Sequence, residues 1–248
     1  MLTSAQCVLE AFLRRAREPG RVISTVSELH DRMRHRAPRR VVTVNLFELH
    51  HYVRDPHHRF LTDAADYWTA DGWPVVRALR KIGVSAERVT GSGLCSDLLT
   101  TDPVSGLRHV AVLGSSDQVV DEYARRLTER GRSVVLRDTG RRDDWTATRM
   151  KDRLMASRAD VVLVAVGTPY GVDVAARVQG FAPCPVIAVG AGVGMAVGME
   201  RRAPRPVQDV HLEWAWRMLA DPRRLARRYA ADCAPLLPAL SRAAASVA

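Results

Sequence analysis

Residues 160–166, DVVLVAV, constrain this chain more than any other stretch. A near-continuous apolar run of that length predicts a strand buried on both faces, which is the condition of a central strand in a parallel sheet. Parallel neighbours cannot be joined by a tight hairpin, so the segments before and after must supply crossover helices. The sequence provides them. Residues 108–113 (RHVAVL) form an apolar run ending at Gly114, 133–137 another, and 185–189 (PVIAV) a third. Between them, 118–130 carries Val119, Tyr123, Ala124 and Leu127 at helical spacing, Gly131 stands where that helix must stop, and 145–157 predicts a further helix. In the first half, 41–46 and 66–69 predict strands, the second leading into Ala70-Asp71-Gly72. Pro74 sits in the first turn of a helix reaching about residue 82, 88–90 predicts a short strand, and a helix lies near 94–99. The expected class is α/β, Rossmann-like, with mainly parallel sheets in two lobes (1–105 and 106–200). An Arg-rich helical appendage, 201–248, follows, broken around Asp221-Pro222.

The formal net charge is +10, and because Lys81 and Lys151 are the only lysines, 35 of the 37 basic residues are arginines. Their clustering at Arg201, Arg202, Arg223, Arg224, Arg227 and Arg228 lacks the aromatic interleaving or helix-turn-helix pattern of a nucleic-acid binder, so no nucleic-acid partner is expected. Cys7, Cys95, Cys184 and Cys233 are scattered without metal-type spacing and are expected as free, buried thiols. The N-terminus lacks the features of a signal peptide, and no stretch approaches about 18 uninterrupted apolar residues, so a cytoplasmic protein is expected. Six of the eight histidines fall between His30 and His58; adjacent pairs point in different directions, and a solvated face is expected there rather than a metal site.

Open α/β sheets bind ligands at the carboxyl ends of their strands, so the residues presented there carry the functional weight. Thr43 and Asn45, two apart in one predicted strand, face the same side. Asp71 stands where strand gives way to helix, followed by a glycine that permits close ligand approach; an Asp in that place is also a common helix cap. Arg88 suits a diphosphate or a surface ion pair equally well. Gly114, Gly167 and Gly190 follow strands and can present backbone N–H groups to phosphate oxygens. No D-x-D stands at a strand end, so neither a metal nor another cofactor is expected.

Taken together, Thr43-Val44-Asn45, Ala70-Asp71-Gly72, the run from Glu87 to Ser92 (ERVTGS), VAVLG ending at Gly114, and ADVVLVAVGTP resemble the WecG/TagA/CpsF glycosyltransferases. So do Arg201-Arg202-Ala203-Pro204, Leu212-Glu213-Trp214, Asp221-Pro222-Arg223-Arg224 and Arg227-Arg228-Tyr229, in matching order from about residue 40 to 230. The resemblance implies an inverting transferase that moves a sugar from a UDP-linked donor to an acceptor hydroxyl. The acceptor would be a polyprenyl-diphosphate-linked saccharide or a soluble specialised metabolite. Asp71 matches the general base, Thr43 and Asn45 pocket residues, and Arg88 a group near the diphosphate leaving group. Gly91, Gly114, Gly167, Pro169 and Gly190 match substrate-binding turns. Arg202, Glu213, Arg224 and Arg228 match an appendage that reaches the acceptor, with peripheral contact to the inner face of the plasma membrane, in a homodimer.

The sequence also departs from that pattern. Where the family reads G-x-P-K-Q-E, this chain reads Gly167-Thr168-Pro169-Tyr170-Gly171-Val172; a Phe-Asp pair is replaced by Val193-Gly194, and G-S-D-L by Gly91-Ser92-Gly93-Leu94. Each loss removes a polar group while the backbone-shaping glycines and proline stay. Altered substrates, or a catalytically inactive subunit that binds nucleotide sugar or a partner enzyme, both accommodate these losses.

Overall fold

The computed structural model describes residues 4–34, 37–101, 106–200, 216 and 228–248. Seven strands form one parallel sheet: β1 (Val22–Ile23), β2 (Arg40–Val44), β3 (Tyr67–Ala70), β4 (His109–Gly114), β5 (Ser133–Asp138), β6 (Val161–Ala165) and β7 (Val186–Ala188). Their spatial order is β1-β3-β2-β7-β6-β4-β5. The expected α/β class with parallel strands is what forms, and the strands of the first hundred residues share a continuous sheet with those that follow. The junction is β2 against β7, with Arg40, Val41 and Val42 opposite Val186, Ile187 and Ala188. As residues 160–166 require, β6 is central, flanked by β4 and β7, and its first four residues are buried.

Side chains alternate across the sheet with the period of two that a strand imposes. On one face Val42, Val44, Trp68 and Ala70 pack beneath α1 (Ser4–Ala16), α3 (Leu46–Arg54), α5 (Trp73–Lys81) and the C-terminal helix α11 (Leu236–Val247). Further along that face Ala111, Leu113, Val162, Val164 and Val186 lie under α8 (Ala147–Ser157) and α9 (Tyr170–Gln179). On the other face Val41, Val110, Val112, Leu163 and Ile187 meet α2 (Val26–Met33), α6 (Gly91–Thr100), α7 (Asp117–Thr128) and α10 (Gly192–Ala196). The Phe12 ring of α1 stacks on Trp68 at 4.7 Å, and Arg17 donates to the Val247 carbonyl at 2.8 Å, so the two ends of the chain close over one face together. Of the cysteines, Cys95, Cys184 and Cys233 are buried and free, whereas Cys7 is exposed.

Three local expectations are corrected. Residues 88–90 are not a strand: β1 ends opposite Thr69, and past it the segment runs extended with one ladder-like bond to β3, Val89 N to Ala70 O at 3.0 Å. The strand placed at 41–46 ends at Val44, because the Asn45 side chain caps α3 by accepting from the Phe47 and Glu48 amides at 2.9 and 3.0 Å. The histidine-rich stretch is a solvated face only in part: on α3 and α4 (Pro56–Asp63), the latter capped by Asp55, His57 is exposed but His50 and His58 are buried.

The two halves are also braced by glycine. A Cβ on Gly91 would stand 2.8 Å from the Val189 backbone, and one on Gly192 would stand 2.9 Å from the Gly91 backbone. The start of α6 and the turn into α10 therefore meet backbone to backbone, where neither partner is a flexible side-chain end. Gly91→Ala is expected to lower stability by about 1–3 kcal/mol, or Tm by roughly 2–12 °C for a chain of this size. Thermal unfolding followed by circular dichroism measures it, and an unchanged Tm would mean that the turn can retreat.

Candidate active site

With every strand parallel, the turns after β3, β2, β7, β6, β4 and β5 open along one edge of the sheet. The helices that follow β4 and β6 pack on opposite faces of the sheet, so a crevice is expected between those two strand ends.

At the β2–β3 end, Thr43 lies opposite Thr69 and Val44 opposite Ala70. The Asp71 amide then donates to the Val44 carbonyl at 2.8 Å, which fixes Asp71 beside the end of β2. Gly72 follows with φ of 126°, a conformation that side-chain-bearing residues rarely adopt, and Gly72, not Asp71, is the N-cap position of α5. The Val89–Ala70 bond brings the Arg88 stretch to the same point. Asp71, Arg88, Thr43 and Asn45 are thus gathered from three separate segments. Two of them hold structural bonds: Asn45 is a helix cap, and Thr43 donates to the Ala188 carbonyl at 3.1 Å. The shared-side expectation for this pair does not hold, since Asn45 lies beyond the strand.

At the β4–β6 end, Gly114 has φ of 97° and Ser115 φ of 66°; a Cβ on Gly114 would meet the Ala165 carbonyl oxygen at 2.7 Å. The Ser115 amide donates to that carbonyl at 3.2 Å, which ties the two turns together, and Ser116 caps α7. Gly167 is exposed on the same edge, followed by a cis Thr168–Pro169 peptide. Gly190 follows β7 with φ of 55°, whereas Gly91 is buried in the contact with Val189 described above.

The positions that depart from the family pattern have local explanations. A Cβ on Gly171 would lie 2.4 Å from the Val166 carbonyl oxygen, so the turn into α9 closes too tightly for any side chain there. Val172 belongs to the apolar core and Tyr170 is exposed. Over Gly194 lies the Glu200 side chain, within 2.8 Å of where a Cβ would stand.

Sequence reasoning missed a polar group that reaches this edge. Glu48, in the first turn of α3, pairs through Oε2 with His58 Nε2 of α4 at 2.9 Å, and both side chains are under a tenth exposed. Its other oxygen accepts from the Thr168 hydroxyl. His51 lies beside His58, and burial, then the neighbouring His58 and His50, push its imidazole below the ordinary value. The spacing Asn45-x-x-Glu48 was a visible signal, because it reads as a capping box. The carboxylate turns to Thr168 and His58 instead.

At the outer strand, Asp138 ends β5 where a nucleotide-binding fold often keeps a ribose-binding acid. Its oxygens are otherwise engaged: Oδ1 accepts from Trp145 Nε1 at 3.0 Å and Gly140 N at 3.1 Å, and Oδ2 faces Arg153 and Arg149. Burial opposes the charged form, but Arg153, Trp145 and Gly140 outweigh it and hold the carboxyl below its usual value. A depressed folded value means that the stabilisation is complete above the unfolded value, near about pH 4, and is lost as pH falls through the lower folded one. Asp138→Asn is therefore expected to be less stable than wild type at neutral pH, with the gap narrowing below about pH 4. Urea unfolding at stepped pH measures the gap, and a constant difference across that range would refute the assignment.

Arg202, Glu213 and Arg224 lie outside the described residues, and Arg228 is described only as the start of a short π-helical turn, Arg228–Cys233. That turn packs on α3, where His50 Nδ1 contacts the Asp232 carbonyl at 2.9 Å. Among the described residues no helix is long and apolar enough to cross a membrane. Comparison with known families matches residues 18–247 to the model described as the glycosyl transferase WecG/TagA/CpsF family. A match over nearly the whole chain, together with a parallel sheet that gathers Asp71, Arg88 and the glycine turns on one edge, places this protein in the WecG/TagA/CpsF glycosyltransferase family.

Proposed function

We propose that this chain is an inverting hexosyl- or N-acetylhexosaminyltransferase that uses a UDP-linked sugar, with Asp71 as the general base. Family membership supports sugar transfer from a nucleotide sugar to a glycan acceptor. The observation that carries the reading is the position of Asp71, held by the Val44 carbonyl at the carboxyl end of β3 ahead of a glycine at positive φ. The acceptor hydroxyl oxygen forms the new bond to the anomeric carbon and passes its proton to the Asp71 carboxylate. The bond from the anomeric carbon to the diphosphate breaks, and its electron pair leaves on a diphosphate oxygen. Arg88 offsets that charge, and the turns at Gly114, Gly167, Pro169 and Gly190 offer backbone N–H groups or close approach to the phosphates. Thr43, Asn45 and Gly91 shape the floor of the pocket.

Arg202, Glu213, Arg224 and Arg228 are assigned to the acceptor, either a polyprenyl-diphosphate-linked saccharide or a soluble metabolite; arginine pairs bidentately with phosphate. Peripheral attachment at the inner membrane face and a homodimer belong to the same reading. So does the division into an acid-bearing lobe, a nucleotide lobe and an appendage. A second reading, a non-catalytic subunit that binds nucleotide sugar, is favoured by one feature: at Gly171 and Val172 the polar groups of the family pattern are gone and backbone or core fills their place.

Incubation with UDP-, GDP- and dTDP-sugars and candidate acceptors, followed by nucleotide release, separates the two. Asp71→Asn is expected to reduce kcat by about 10²–10⁴-fold with Tm unchanged. Full activity in that variant would remove Asp71 as the base, and no turnover of any donor by wild type would leave the non-catalytic reading.

A further inference from the structure

The geometry points to Glu48 as a positioning residue that sets the height of the β6–α9 turn, and through it the donor diphosphate subsite. This rests on the reading of that turn as part of the nucleotide-sugar site. Glu48 sits on the element that follows β2, and Thr168 on the turn that follows β6, two strands away across β7 and 120 residues apart in sequence. The Thr168 hydroxyl donates to Glu48 Oε1, and the other carboxylate oxygen lies 2.9 Å from His58 Nε2, a close contact that lacks hydrogen-bond geometry. Because the Glu48 and His58 side chains are almost wholly buried, the carboxylate has little freedom to follow a moving turn.

The neighbours of Thr168 cannot share the task from the side of α3. Gly167 has no side chain and Pro169 no N–H. Among the described residues Gly171 N donates to Gly167 O at 3.1 Å within the turn, and Ser115 N to Ala165 O at 3.2 Å ties the end of β6 toward β4. The Ser115–Ala165 bond ties the β4 turn to the end of β6, directly before the Gly167–Pro169 turn. Through Thr168, Glu48 ties the β6–α9 turn to the half of the sheet that carries Asp71, beside the His57–Asp173 contact of α4 with α9 at 3.6 Å.

Three variants test this: Thr168→Val, which removes the hydroxyl, Thr168→Ser, which keeps it, and Glu48→Gln, which keeps the volume and removes the charge. UDP binding is measured by isothermal titration calorimetry, and donor KM and kcat by nucleotide release, with Tm recorded for each. Thr168→Val is expected to weaken UDP binding about 10-fold, as loss of one charge-assisted hydrogen bond would. It should raise donor KM with kcat held at saturating donor. Thr168→Ser should bind like wild type, and Glu48→Gln should raise donor KM in the same sense. A fall in Tm with UDP affinity and donor KM unchanged would make the contact merely structural and overturn the inference. Should Thr168→Val fail to fold, Glu48→Gln decides by the same two readouts. Failure of wild type to bind UDP, GDP or dTDP is a separate result, which removes the nucleotide-sugar reading itself and this inference with it.

Discussion

The candidate site depends on three residue pairs, Arg40, Val41 and Val42 of β2 against Val186, Ile187 and Ala188 of β7. Without that seam the Asp71 turn would lie at the edge of one sheet and the glycine turns of β4 and β6 at the end of another. The contact is reinforced at both ends. Val186 N donates to the Arg39 carbonyl at 2.8 Å below the first pair, and above the last pair the Thr43 hydroxyl reaches the Ala188 carbonyl at 3.1 Å. A side chain thus extends the ladder one step beyond the backbone bonds, toward the site. The close passage of Gly91 against Val189 and Gly192 adds a second brace on one face, and Glu48 with Thr168 a third on the other. Strand pairing sets the register, and side chains and glycines then fix the spacing at the ligand-facing edge.

The second half of the fold was legible because its strands are central. Residues buried on both faces must be apolar throughout, so 108–113, 160–166 and 185–189 are recognisable by composition alone. The first half carries shorter strands whose faces meet different helices, and its turns depend on single caps. Asn45 illustrates the limit. The residue continues a β-like text, Val-Thr-Val-Asn-Leu, yet its carboxamide captures two amides and starts α3. Residues 88–90 show the complementary failure: Arg-Val-Thr has strand propensity, but propensity cannot reveal that only Ala70 of β3 is left to pair with it beyond the end of β1.

At the site, the legible residues were those fixed by backbone demands. Gly72 and Gly114 have positive φ, and Asp71 is locatable because the glycine after it announces the turn. Contacts between distant segments were not legible. Nothing in the text around Glu48 or Thr168 signals that residues 120 apart share a hydrogen bond, and the histidines beside Glu48 look solvent-facing until α3 and α4 fold against each other. The closing of Gly171 over Val166 was equally hidden. A missing polar residue reads as lost function, whereas the structure shows a tighter turn.

The charge excess is the feature on which composition misleads most easily. Many of the arginines are hydrogen-bonded to backbone carbonyls that secondary structure leaves unpaired. Arg132 is buried and reaches the carbonyls of Leu98, Thr101 and Leu107 around the end of α6; Arg40 reaches Leu61, Arg59 reaches Tyr52 and Val53, and Arg126 reaches Val197. A guanidinium suits this work because its planar fork can satisfy two or three carbonyls at once, which a lysine ammonium does less well. Such arginines are committed by geometry to single sites within the fold and are not arrayed along a groove, as phosphate-backbone recognition would require. A strongly basic pI in this chain is therefore in part a record of how its helix ends and loops are closed. Among the described residues that the sequence matches, Arg88 lies on the segment that the Val89–Ala70 bond brings to the edge where Asp71 stands.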